Sequence, residues 1–181
     1  MKAIAEKKKA KNIGEYIIYM YQMEDLLRAY QFIMQEVKQY VISHYPISEE
    51  EKEETFQWFA GLADSMAIEN IKESGHLKSV QQMVDLLAKL HWQLLKTDKT
   101  YFHIYQKAKP HIIQMVLEAG ENSPGNEIQI CLNAIYGLLL AKLHGREIPK
   151  DMVAATEIFG DVLSYLNWAY FEGLGNSSRD N

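Results

Sequence analysis

Three groupings in this 181-residue chain have the side chains that acid–base or anion chemistry uses. Glu24, Asp25 and Arg28 stand within about a turn of one another on a helical stretch, on its flank and outer face. Glu24 to Arg28 is the favourable i,i+4 order and Asp25 to Arg28 is i,i+3. The functional reading is a carboxylate pair in a cleft, with Arg28 anchoring an anion; the structural one is a salt bridge on or between helices. Glu73 and His76 form a Glu-x-x-His, the pair one helix supplies to a di-iron bundle. Such a bundle needs two of these motifs and two further inward glutamates. Only one is present, and Gly75 interrupts the helix between its members, so no metal and no other cofactor are expected.

His91 is the third feature, because it lies in an otherwise aliphatic helical line. A lone histidine there is either a hydrogen-bonded core group or a base facing a cleft. Glu24, Asp25, Arg28, His76, His91 and Tyr136 form the candidate polar, ligand-binding cluster. His103 and His111 flank Pro110 with no carboxylate at motif spacing. Cys131, the single cysteine, reads as a small buried hydrophobe and not as a nucleophile. No phosphate-binding loop, dinucleotide fingerprint, nucleophile elbow or zinc-protease motif occurs, so no catalytic residue is assigned.

The elements that must position these residues are helices. Tyr16, Met20, Met23, Leu27, Tyr30, Met34, Val37 and Val41 follow alternating steps of four and three, widened by Tyr19, Leu26, Ile33 and Tyr40. This predicts one continuous first helix, about 39 Å long at 1.5 Å per residue. Asn12 with Glu15, and Ser48 with Glu51, are capping signals for the first and second helices. The second buries Phe56, Phe59, Ala63 and Met66 and extends toward Gly75. A third runs from about Leu77 to Lys96, and Thr97 or Asp98 caps a fourth that Pro110 should kink or split. The fifth, from about Asn126 to His144, is apolar almost all round and is expected at the centre. Its Ala134, Gly137 and Ala141 should admit a neighbouring helix closely. The sixth follows Pro149, buries Ala155, Phe159, Val162 and Leu166, and ends at Gly173.

No stretch alternates with the period of a strand. The expectation is all-α: a single-domain bundle of about six helices organised around the long N-terminal one. Residues 1–11 form a basic arm overhanging the bundle, residues 12–173 the bundle, and residues 174–181 a polar tail. A net charge of −5 gives no general attraction to nucleic acid, and the lysine arm is short and lacks interleaved aromatics. The least polar run, Ile128 to Ala141, is shorter than the ~20 residues of a membrane span. The lone cysteine and the absence of a secretory signal fit the cytoplasm.

Asn12-Ile13-Gly14-Glu15-Tyr16 through Met20, with Glu24-Asp25-Leu26-Leu27-Arg28-Ala29, resembles the opening of a family of all-helical bacterial proteins known only as a domain of unknown function. Gly75-His76-Leu77, Leu90-His91 with Leu94-Leu95, and Ala134-Ile135-Tyr136-Gly137 are similar to its later signatures. The resemblance spans nearly the whole chain, implies an all-helical single domain, and carries no activity or site residue. The expected function is therefore a non-catalytic helical bundle that binds itself or a protein partner. Ile17, Ile18, Tyr21 and Phe32 lie opposite the main stripe of the first helix and suggest a homodimer through it. The alternative is a small-molecule or metal-dependent enzyme with a cleft formed by Glu24, Asp25, Arg28, His76 and His91.

Overall fold

A computed structural model describes residues 1–177. It is all-α, with eight α-helices among the described residues in place of about six and no strand. They are α1 (Lys2–Lys11), α2 (Ile13–Ala29), α3 (Met34–Tyr40), α4 (Glu49–Ile68), α5 (Lys78–Thr97), α6 (Lys99–Ala119), α7 (Glu127–Leu143) and α8 (Lys150–Ser177). Two compact units are formed, Met1–Gln82 and Met83–Asn181, and the division falls within α5. No helix among the described residues is long and apolar enough to cross a membrane.

In the first unit the expected 39 Å spine is broken. α2 ends at Ala29 in a Schellman motif: the Gln31 N–H reaches the Arg28 carbonyl and the Phe32 N–H reaches that of Leu27, both at 2.9 Å. Gln31 and Phe32 take φ of 50° and 61°, the left-handed region. Glycine or asparagine normally marks such a turn, and neither is present, so periodicity alone runs straight through it. Phe32 lies under the Lys72 ammonium, 5.3 Å from its ring centroid, and α3 packs Val37 inward beside α4.

α1 is also a correction. It does not overhang: it packs along α2 and buries Ala5, while the Asn12 side chain caps α2 by accepting from the Glu15 N–H at 3.0 Å. Around α2 much of the back face is covered, with Ile18 half-buried. Ile17 and Tyr21, expected to lie on an open back face, are 0% and 1% exposed. The predicted Ser48 capping box starts α4. This helix stops at Ile68, short of Gly75, and reverses at Asn70 (φ 56°) with the Ile71 N–H on the Met66 carbonyl.

In the second unit α8 packs against both α6 and α7, burying Phe159, Val162 and Leu166. Asp98 is the only residue between α5 and α6, and its carboxylate caps α6 through the Thr100 and Tyr101 N–H groups. Pro110 neither splits α6 nor ends it. α7 is central only over Ile128–Leu132, which is buried; from Asn133 onward it is mostly half-buried or open. α8 runs past Gly173 to Ser177, and residues 178–181 of the expected tail lie outside the described residues.

Candidate functional site

Glu24 is fully buried, not on the flank of its helix, and it does not pair with Arg28. Its Oε1 accepts the Leu77 N–H at 3.0 Å and its Oε2 accepts from His76 Nδ1 at 2.7 Å. Glu69 accepts the Lys78 N–H in the same way at 2.7 Å. Two carboxylates thus meet the free amides and positive dipole end of α5, which has no capping side chain of its own in sequence. His76 is held flat against Tyr21, ring centroids 3.6 Å apart and 17° from parallel.

Arg28 lies beside this group as a clamp. It donates to Asp25 Oδ1 at 2.9 Å and to the carbonyls of Ile71, Lys72 and Gly75. Three of its five N–H donors go to backbone carbonyls and a fourth to the Asp25 carboxylate, which leaves little to hold an anion. Glu24, Asp25, Arg28 and His76 therefore come together, and together they seat the loop at 70–77 on α2. Glu73 and His76 lie in that loop, outside any helix. Among the described residues no three His, Cys, Asp or Glu side chains converge as metal ligands do.

His91 and Tyr136 belong to the second unit, each buried. His91 Nδ1 lies 2.6 Å from the Tyr101 hydroxyl and Nε2 lies 3.2 Å from Glu127 Oε2. A carboxylate can only accept, so Nε2 carries the proton and Nδ1 takes the Tyr101 O–H. Tyr105 packs edge-on to the imidazole and also bonds Glu127. The His91 hydrogen bond, followed by that of Tyr105, holds the Glu127 carboxyl below its ordinary range against the opposing effect of burial. Burial pushes both phenols far up, so neither is a nucleophile. Burial and the Glu127 charge raise the Cys131 thiol to about 12, where it stays protonated and unreactive. A Tyr–His–Glu relay is present, its Tyr101–His91 bond buried and its Glu127 end half-buried.

Glu127 and Tyr101 escape a reading of sequence motifs, because 36 residues separate His91 from Glu127. The one available signal is Glu127 in the first turn of α7, where its charge faces the helix dipole.

The second unit also holds an open apolar groove of about 660 Å³ between the end of α6, the outer half of α7 and the start of α8. Ala134, Gly137 and Ala141 line it from α7, together with Met115, Ile148 and Met152. An added Cβ at Gly137 would meet nothing within 4 Å, so the expected close-packed neighbour is absent from this face among the described residues. α7 closes in a second Schellman motif: the Arg146 N–H bonds the Ala141 carbonyl, the Gly145 N–H that of Lys142, and Gly145 takes φ of 62°. This turn plants Arg146 at the rim, alongside Glu118 and Glu147.

The family model described as a domain of unknown function (DUF4924) matches residues 2–175. No curated protein and no solved structure matches the chain.

Proposed function

The chain belongs to that family, a domain to which no activity is assigned, and from this premise we propose that it acts by binding and not by catalysis. The observation that carries the reading is the open apolar groove over Gly137, of a volume usual for a binding site and lined mostly by apolar side chains. The groups that could do chemistry point elsewhere. Glu24 and Arg28 are engaged by backbone of the loop they hold, and His91 by Tyr101 and Glu127. No buried side-chain nitrogen or oxygen among the described residues is left without a partner. That is the condition of a structural polar core, whereas a catalytic base keeps a lone pair for substrate.

The enzyme alternative, a cleft of Glu24, Asp25, Arg28, His76 and His91, draws less support for the same reason. A homodimer through the first helix draws less as well, since Ile17 and Tyr21 are already covered. The stretch 16–41 keeps only Ile33 and Tyr40 as large exposed apolar groups, while the groove gathers several apolar residues on one surface. A cytoplasmic setting belongs to this proposal, resting on a single cysteine kept as a buried thiol.

The test is titration of the dilute protein with anilinonaphthalene sulfonate, whose fluorescence rises in apolar sites. Saturable binding is expected, weakened about tenfold or more by Gly137→Leu, which fills the groove. That substitution also replaces an exposed helical glycine, so the fold should hold or gain up to about 1 kcal/mol. His91→Gln and His76→Asn should leave the dye affinity unchanged. Absence of dye binding, or affinity indifferent to Gly137→Leu, overturns the reading.

A further inference from the structure

We infer that the occupant of this groove is a second copy of the same chain, an inference that rests on the binding reading above. A twofold interface places one patch against itself, so the patch must carry both members of every complementary pair. This one does. Gly137, Ala134 and Ala141 line the groove with little or no side chain, and Met152, 39% exposed, lines it with a long flexible apolar one. The rim carries both signs of charge: Arg146 on one hand, Glu118 and Glu147 on the other. None of these three makes an ion pair with another described residue; Glu118 takes only a hydrogen bond from Gln114, at 2.9 Å. A fatty-acid-like ligand would bring a single carboxylate, which answers only Arg146 in this rim. A mixed rim of fixed charges instead suits a partner bearing the same mixture, and the chain itself is such a partner. The Schellman turn at Gly145 holds the Arg146 backbone in place, which reduces the ordering cost of a contact made there.

The full chain is to be followed by sedimentation equilibrium from nanomolar to high micromolar concentration. A monomer–dimer equilibrium is expected, with Gly137→Leu raising the dissociation constant at least tenfold. Arg146→Glu alone, and Glu118→Arg with Glu147→Arg, should each weaken self-association. An equimolar mixture of these two variants should restore it as a heterodimer, because each supplies the charge the other has lost. A strict monomer at all concentrations overturns the inference, as does a dimer unchanged by Gly137→Leu or a mixture that fails to re-associate. The binding reading survives a strict monomer if the dye still fills the groove, and falls if the dye does not bind at the dilute end or binds with an affinity indifferent to Gly137→Leu. An apolar small molecule retained by the monomer in native mass spectrometry would likewise overturn the second copy as occupant.

Discussion

Replacing Gln31 by glycine distinguishes a broken first helix from a continuous one by the sign of the stability change. Gln31 is exposed and sits at φ 50°, between the Schellman hydrogen bonds that end α2. An L-residue held there is destabilised by about 1–2 kcal/mol relative to a right-handed conformation. Glycine escapes that penalty and loses about 0.5–1 kcal/mol through the greater freedom of its unfolded chain. The difference is a gain of about 0.5–1 kcal/mol. With a urea slope of about 2 kcal/mol/M, the unfolding midpoint should rise by roughly 0.25–0.5 M at unchanged slope. Within a continuous helix the same substitution would instead lose about 0.5–1 kcal/mol. Ala29→Gly, exposed and in the last right-handed turn of α2, is the matched control and should lose about 1 kcal/mol. If Gln31→Gly falls alongside Ala29→Gly, the break is not where the structure has it, and Phe32 is not delivered to Lys72.

Two further outcomes follow from the polar cores. Glu24→Ala orphans the Leu77 N–H inside the protein, and an unsatisfied buried donor costs about 1–3 kcal/mol; amide exchange at Leu77 should accelerate, and an unchanged rate would count against the capping role. Because the folded-state pKa of Glu127 is depressed, its contribution to stability is present above the ordinary value of 4.5 and is lost as pH falls through the folded value. Melting temperatures measured downward from pH 5 should therefore fall more steeply for the parent than for Glu127→Gln, and parallel curves would refute the coupling to His91.

The residues that cap helix N-termini were legible without coordinates, whereas the ends expected at Gly75 and Gly173 and the break expected at Pro110 were not where the helices stop. Asn12, Ser48 and Asp98 each bond an amide within three residues, so the information lies inside one short window of sequence. The buried lines through Phe59 and Met66, Val80 and Val84, and Phe159 and Leu166 were legible for a similar reason: a helix puts every third or fourth residue on one face. The break at Gln31 was not, since no residue there prefers a left-handed backbone and the turn depends on where Phe32 packs. Glu24 beside Arg28 looked like a helical ion pair; its true partner, the Leu77 amide, lies 53 residues away.

The sequence by itself thus determined that the chain is helical, where most of its helices begin, and which faces are apolar. Only the tertiary structure decided which carboxylate meets which amide and whether an apolar face is covered. The Ala134–Gly137–Ala141 line shows the difference. Small residues at helical spacing permit a close neighbour, but whether one arrives depends on the paths of α6 and α8, and here they leave Gly137 open. Periodicity is a property of one helix, whereas burial is a property of the helices around it.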